Sequence, residues 1–282
     1  MIETADYYIY EDSFIFKPYF NGIVNDYINI ISNYKKIFFS NYNEPQLCVE
    51  TNNKYYDIYR QKHIYSYFNK PLSDSLNNQI QLQQLTFGSD FNQPLGNSLK
   101  NLTNLQELTF GGRFNKPLGD SLNNQIQLQK LTFGSNFNQP LGNSLNNLTN
   151  LQELTFGLIF NHPLYNSLNN LTKLHELTLD YEFNQQIEIP TNIKILKLNC
   201  NNKNLIDNLP NSIEELYLLN KFYLELNNLP NSIKIISFYK DSKYNKELNN
   251  LPLSIEKIYL PNNYQKKINN INSKCLIIYN YL

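Results

Sequence analysis

Residues 91–113 read FNQPLGNSLKNLTNLQELTFGGR, and close copies of this stretch recur along the chain. The Phe-Asn pair that opens it begins at residues 68, 91, 114, 137, 160 and 183, so every step is 23 residues. A constant step of this size is typical of proteins in which one short unit is stacked many times. The sequence therefore predicts a solenoid, whose function would depend on an extended surface.

The apolar residues of the unit recur at every third position and then at every second. Leu102, Leu105 and Leu108 show the first spacing, and Leu108 with Phe110 shows the second. The change indicates a chain that arcs and then enters a short strand, and it matches the leucine-rich pattern. One unit cannot bury these side chains alone, so we expect stacked parallel strands in register. The two expected buried ladders are Leu85, Leu108, Leu131, Leu154 and Leu177, and Phe87, Phe110, Phe133, Phe156 and Leu179.

The Asn of each Phe-Asn pair is predicted to point inward. A buried amide can satisfy loop backbone groups and stacked copies of itself, so no polar group would stay unpaired. The Pro two residues after each of the first five such Asn has no N–H to lose and should fix an extended bend.

The repeat changes after residue 184. Shorter units follow, marked by Leu-Pro-x-Ser-Ile segments that begin at Leu209, Leu229 and Leu251. Each is followed by a strand-like pair of apolar residues, so we expect the solenoid to continue to the C-terminus with about ten strands in all. The predicted division is 1–67, a small α+β N-terminal cap; 68–182, the 23-residue repeats; and 183–282, the shorter repeats with a C-terminal cap.

The first 66 residues lack the repeat. Tyr7–Tyr10 and Phe14–Phe16 flank a turn and read as a hairpin, and apolar residues from Ile23 to Tyr34 have helical spacing. A second hairpin is predicted from Leu47–Val49 and Tyr55–Ile58. The segment should cover the open edge of the first repeat, since solenoid ends need a cap.

Phe-Asn-x-Pro-Leu followed by Leu-x-x-Leu-x-x-Leu-x-Phe resembles the FNIP repeat family, a relative of leucine-rich repeats. The resemblance covers residues 68–182 in five near-identical copies, with looser copies toward residue 282. It implies a non-enzymatic interaction protein similar to those of social amoebae and of large DNA viruses that infect amoebae. Some family members carry an N-terminal F-box that links them to ubiquitin ligases. The third family position is Lys, Gln or His here, never Ile.

Composition limits the partners. Lys and Arg together number 24, Asp and Glu also number 24, and only Arg60 and Arg113 are Arg, so the chain lacks the basic stripe that nucleic acid requires. Cys48, Cys200 and Cys275 lie far apart and are expected to be buried free thiols in a reducing compartment. No segment reads as a signal peptide or membrane span. We expect an intracellular, cytoplasmic monomer, in a virus-infected or host cell, with no cofactor or metal.

The outward positions of the strands carry the candidate partner-binding residues. Glu107, Lys130 and Glu153 should lie side by side on the open, concave face, flanked by a ladder of Thr. Glu107 and Glu153, about 9.6 Å apart on alternate strands, have a separation that suits glycoside hydrolysis. Lys130 between them favours a surface charge ladder instead. His63, His162 and His175 share no repeat position, which argues against a metal or catalytic role.

The C-terminal strands replace the Thr ladder with Tyr217 and Tyr259, beside Ile195 and Ile235. Tyr is enriched at binding hot spots, so these four residues are the stronger candidates for partner binding. An alternative is that the two Ile side chains pack only against their neighbours.

These observations favour a leucine-rich-repeat-like solenoid, whose convex side is mostly irregular. The predicted function of the solenoid is to bind an unidentified protein. Two other functions stay open. One is a substrate-recognition adaptor of a ubiquitin ligase, through an F-box-like N-terminus. The other is a carbohydrate-active parallel β-helix, since about 23 residues per turn also suits that fold, although Leu at every third position does not alternate like a strand.

Overall fold

A computed structural model describes residues 1–50, 66–219 and 222–280 of the chain. Its main feature is one sheet of 14 strands, in which each strand pairs with the next strand along the chain. The strands are β1 (Ile2–Glu3), β2 (Tyr7–Tyr10), β3 (Ser13–Phe16), β4 (Lys36–Phe39), β5 (Gln84–Thr86), β6 (Glu107–Thr109), β7 (Lys130–Thr132), β8 (Glu153–Thr155), β9 (Glu176–Leu179), β10 (Ile195–Leu198), β11 (Glu215–Leu218), β12 (Ile235–Phe238), β13 (Lys257–Pro261) and β14 (Leu276–Asn280).

Every neighbouring pair from β3 to β14 is parallel, and the strands of the repeats are in register. Leu108 pairs with Leu85 on one side and with Leu131 on the other, which confirms the first predicted ladder. The second ladder is buried as predicted, from Phe87 to Leu179. The chain is therefore a leucine-rich-repeat-like solenoid, and β5 to β14 are the ten strands expected of its repeats.

Phenylalanine rings form two stacked columns in the core. Within one repeat, the ring centroids of Phe110 and Phe114 lie 4.1 Å apart. Between repeats, Phe110 lies 5.6 Å from Phe133, and Phe114 lies 6.0 Å from Phe137. All four side chains are fully buried. Such pairs contribute about 0.5–1.5 kcal/mol each beyond the burial of area, so the columns bind neighbouring repeats to one another.

The turns after β6, β7 and β8 require glycine because the backbones of neighbouring repeats approach closely there. A Cβ on Gly111 would lie 1.9 Å from the carbonyl oxygen of Gly88 in the preceding repeat. The same contact links Gly134 to Gly111, at 2.1 Å. Glycine therefore lets the turns stack as closely as the strands do.

The inward orientation predicted for the Asn residues is wrong. Asn115 is half-buried at the edge of the solenoid, where its Oδ1 accepts the backbone N–H of Asn138 at 3.0 Å. The backbone N–H of Asn115 in turn donates to Oδ1 of Asn92 at 2.9 Å. The amides do satisfy the stacked backbones, but they do so at the rim. The interior at this level is filled by the stacked rings of Phe110 and Phe114.

The N-terminal segment extends the same sheet. β2 and β3 form the predicted antiparallel hairpin, and β4, which the sequence analysis missed, joins β3 to β5 in parallel. Phe39 of β4 stacks on Phe87 with a centroid distance of 5.7 Å, so this segment continues the aromatic column.

Helices are few among the described residues. They are α1 (Ile28–Ile31), α2 (Pro45–Glu50) and α3 (Lys203–Asp207), with 3-10 turns at Val24–Tyr27 and Tyr165–Leu168. The turn at Val24–Tyr27 and α1 fall within the predicted helical stretch. The second predicted hairpin is wrong in its first half, because Leu47–Val49 lies within α2, which Pro45 begins with a φ suited to helix. Its second half, Tyr55–Ile58, lies outside the described residues.

The last strand, β14, pairs with β13 only among the described residues. Leu276 and Tyr279 are exposed there. Cys200 is buried and free, as predicted, whereas the free thiol of Cys275 is only half-buried because it lies at this end of the stack.

Candidate partner-binding surface

The outward side chains of the strands form one continuous surface, here called the strand face. It consists of the first and third residues of each strand from β5 to β13, while the second residue of each points into the core. The strand face carries, in order, Gln84 and Thr86, Glu107 and Thr109, Lys130 and Thr132, Glu153 and Thr155, Glu176 and Thr178, Ile195 and Lys197, Glu215 and Tyr217, Ile235 and Ser237, and Lys257 and Tyr259. All seven candidate residues from the sequence lie on this face.

The charged candidates lie on adjacent strands. Lys130 pairs with Glu107 on one side and with Glu153 on the other in the strand register. Its Nζ lies 2.8 Å from Oε1 of Glu153, and that hydrogen bond raises the pKa of Lys130 against the opposing effect of burial. Glu107 acts on Lys130 only through longer-range attraction. Partly exposed pairs of this kind contribute about 0–1 kcal/mol, so they suit recognition better than stability.

The apolar and aromatic candidates are brought together at the C-terminal part of the face. Ile195, Glu215, Ile235 and Lys257 are successive partners in one row of the register. Lys197, Tyr217, Ser237 and Tyr259 are successive partners in the next row. All eight side chains are half-buried, so they contact their neighbours and water at once.

Tyr217 lies at the centre of this patch. Its hydroxyl donates to Oε2 of Glu215 at 2.8 Å. Burial is the main cause that raises the pKa of Tyr217 to about 12, and the hydrogen bond to Glu215 adds to it. On the β10 side, Nζ of Lys197 lies 5.7 Å from the ring centroid, within range of a cation–π interaction.

Glu176 and Lys197 were not among the candidate residues. They lie between the charged candidates on β6 to β8 and the apolar and aromatic candidates on β10 to β13. In the register Glu176 lies opposite Ile195, two residues before Lys197, and the Lys197 ammonium reaches back diagonally to form an ion pair with the Glu176 carboxylate. The sequence signal that could have found them is the change from Thr to Lys at the third strand position. The strand face therefore runs without a break from Glu107 to Tyr259.

At its N-terminal end, the sheet is covered. Tyr8, Ile15 and Phe38 form a small buried cluster on the outward side of β2 to β4, with the half-buried Val49 of α2 packed against it. The Tyr8 hydroxyl donates to the carbonyl oxygen of Asn43 at 2.7 Å, which fixes the approach to the helix. The open part of the strand face thus begins at β5.

The other polar residues were compared with what a metal site would need. In the described ranges, no three His, Cys, Asp or Glu side chains cluster as a metal ion would require. His162 and His175 are half-buried at separate repeat positions, and His63 lies outside the described residues. No helix of the described residues is long and apolar enough to cross a bilayer.

Known proteins with a similar fold are found among solved structures. CroV588, a giant-virus protein described as a novel circular leucine-rich-repeat structure, aligns with 97% of this chain at 21% identity and a TM-score of 0.52. A chain of the Toll–Spatzle complex, a hub of Drosophila development and innate immunity, aligns with 95% of it at 12% identity and a TM-score of 0.56. The matched regions are 51% and 36% of those chains, so this chain spans about half or less of their length. It has the leucine-rich-repeat fold.

One family model also matches the sequence. It is described as FNIP Repeat and matches residues 183–221, so this segment of the chain contains an FNIP repeat. The match covers β10 and β11, in the region of shorter repeats rather than in the near-identical copies before it. No curated protein matches the sequence.

Proposed function

We propose that the chain is a non-enzymatic scaffold that binds a protein partner through the strand face. Leucine-rich-repeat-like solenoids are typical protein-interaction scaffolds. The observation that carries the proposal is the cluster of Ile195, Tyr217, Ile235 and Tyr259, which are half-buried on adjacent strands of an otherwise polar face. Aromatic side chains with a polar tip are enriched at binding hot spots, where a partner completes their burial.

The charge ladder of Glu107, Lys130 and Glu153 has a second role in this proposal. Charged residues at the edge of an interface guide the approach and orientation of a partner more than they add affinity. The aromatic patch would hold the partner, and the ladder would select its orientation. Raising the salt concentration should therefore slow association more than it speeds dissociation.

The test is affinity purification from the native host with the double variant Tyr217→Ala and Tyr259→Ala. The matched control is Thr109→Ala with Thr155→Ala, which shortens two side chains of the same row on β6 and β8. A partner retained by the wild type and the control but lost by the Tyr variant supports the proposal. If the Tyr variant retains every partner of the wild type, the C-terminal patch does not bind them.

We propose an intracellular setting for this interaction and, from the family resemblance, either a host cell or a virus-infected one. Free thiols persist in reducing compartments, and Cys200 and Cys275 are both free. The partner would then be an intracellular protein, and a host protein if the chain is viral. Localisation of a tagged full-length chain would test the compartment, and a chain found only in the secretory pathway would contradict it.

A further inference from the structure

Ser237 leaves a gap in the strand face between two aromatic side chains. It lies in register with Tyr217 on β11 and with Tyr259 on β13. Strands lie about 4.8 Å apart, so the two Tyr backbones are separated by about 9.6 Å. Among the described strands β5 to β13, this is the one place where a small residue lies between two aromatic ones.

The width of this gap, here called the tyrosine slot, suits one planar group. Carbon atoms in contact lie about 3.5–4.0 Å apart, so a planar group stacked between two rings needs about 7–8 Å between them. The spacing of about 9.6 Å between backbones leaves room for one such group and not for two. Ser237 adds a hydroxyl at the floor of the slot, and Ile235 adds an apolar side chain beside it.

The electrostatics of the slot favour a cation. The Glu215 carboxylate accepts a hydrogen bond from the Tyr217 hydroxyl, and it forms no ion pair within the described residues. One face of the Tyr217 ring already lies near the Lys197 ammonium, which shows that this ring can accept a positive charge. The slot lies on the other side of β11 from Lys197, because β10 and β12 flank β11. Lys257 on β13 counts against a cation, because it lies in the row of Glu215, two strands away.

The other charges nearby are largely paired. Glu214, which precedes β11, lies 3.3 Å from Nζ of Lys194 and 2.6 Å from Nζ of Lys234. Glu176 is paired with Lys197. The charges left to act on a group in the slot are chiefly those of Glu215 and Lys257, with Glu256 in the row before the strands.

We propose that the tyrosine slot, formed by Tyr217, Ser237 and Tyr259, binds an arginine side chain of the protein partner. A guanidinium is flat, so it can stack on both rings while its N–H groups reach the Glu215 carboxylate. The compact ammonium of lysine can do only one of these at a time, and a phenyl ring would leave Glu215 and Ser237 unused. This inference rests on the proposed function and specifies which chemistry the partner presents.

The test uses the full chain and three blocked tripeptides, Gly-X-Gly, in which X is arginine, lysine or citrulline. Citrulline keeps the planar shape of arginine without its charge. Binding measured by NMR titration should be tightest for arginine, and Tyr259→Ala should weaken it by about two- to thirty-fold. Tyr259→Phe should retain the binding because it keeps the ring.

Two charge variants give results of opposite sign. Glu215→Gln should weaken binding of the arginine peptide, and Lys257→Gln should strengthen it. A merely structural effect of either variant would not produce this pair of changes, and circular dichroism checks that both remain folded. Equal binding of the three peptides, tighter binding of a Gly-Phe-Gly peptide, or no binding at all would each overturn the proposal.

The two proposals can fail separately. If the double Tyr variant loses its partner in the purification while the arginine peptide does not bind, the interaction surface stands and its arginine specificity is wrong. If the double variant retains every partner, and the peptides do not bind either, both proposals are wrong.

Discussion

Adding one methyl group to Gly111 or to Gly112 should have opposite effects on stability. The two residues are adjacent, and the same substitution to Ala reduces the conformational freedom of the unfolded chain by the same amount at each. This effect alone stabilises a protein by about 0.4–1 kcal/mol. At Gly112 the nearest atom to a new Cβ is the Ser89 carbonyl oxygen, 3.9 Å away. Gly112→Ala should therefore be neutral or slightly stabilising.

At Gly111 the new Cβ would lie 1.9 Å from the Gly88 carbonyl oxygen and 2.4 Å from its carbonyl carbon. Reaching an ordinary contact of 3.4 Å requires a displacement of about 1.5 Å between two repeats. That shift would disturb the nearby hydrogen bond from the Arg113 backbone N–H to the Ser89 carbonyl, now 2.8 Å. Overpacking of this kind costs about 1–3 kcal/mol, and here it meets backbone, which cannot rotate away.

Urea unfolding followed by circular dichroism measures both variants against the wild type. The free energy of unfolding of Gly111→Ala should fall below that of Gly112→Ala by about 1–3 kcal/mol or more. The unfolded-state contribution cancels in this comparison, so the difference reports the contact between repeats. Equal unfolding midpoints would refute the reasoning, because they would mean that the stack can open at this turn without cost.

Three further predictions concern the rim, a strained turn and alkaline pH. Asn115→Ala should lower the free energy of unfolding by about 0.5–1.5 kcal/mol because the Asn138 N–H loses its acceptor, whereas Asn115→Asp keeps an oxygen there and should lose less in the same urea assay. Tyr165, exposed and at a φ of 28°, occupies the position held by Gly142 in the preceding repeat, so Tyr165→Gly should raise the melting temperature and Tyr165→Phe should not. Burial raises the pKa of Tyr264 from 10.0 to about 12, so its contribution to stability is complete below pH 10 and is lost as the pH rises toward 12. Tyr264→Phe should flatten the fall in unfolding free energy over that range, and an unchanged slope would contradict this assignment.

The period of the sequence was enough to predict the ladders. Once Leu108 is placed on a strand, the constant step places Leu85 and Leu131 beside it, and the structure has this register. The period could not show which way Asn115 points. Every copy has the same neighbours in the sequence, so comparing the copies does not distinguish an inward side chain from one at the edge. In the structure the stacked rings of Phe110 and Phe114 occupy the interior at this level, and Asn115 lies at the edge of the solenoid beside them.

Features outside the repeat were harder to predict. The strand β4 reads Lys-Ile-Phe-Phe, and three of its four residues are buried because both faces of the sheet are covered at that end. A continuous apolar run of this length does not show the alternation of a half-buried strand. The contacts between side chains on the strand face were also harder to predict than the register. The register determined which residues are neighbours. It did not determine that Lys130 forms an ion pair with Glu153 rather than with Glu107, since a long side chain can turn either way.

The repetition itself gives a further reason to place the proposed binding patch on the C-terminal strands. A partner that contacted only the Thr ladder of β5 to β9 could shift by one strand, about 4.8 Å, and find nearly the same side chains. Such a surface gives several bound positions of similar energy, so it cannot fix where the partner sits. The C-terminal strands differ from one another at the same positions, with Lys197, Tyr217, Ser237 and Tyr259 in sequence. We therefore expect contacts on β10 to β13 to fix the position of the proposed partner, and the charge ladder to add to its orientation.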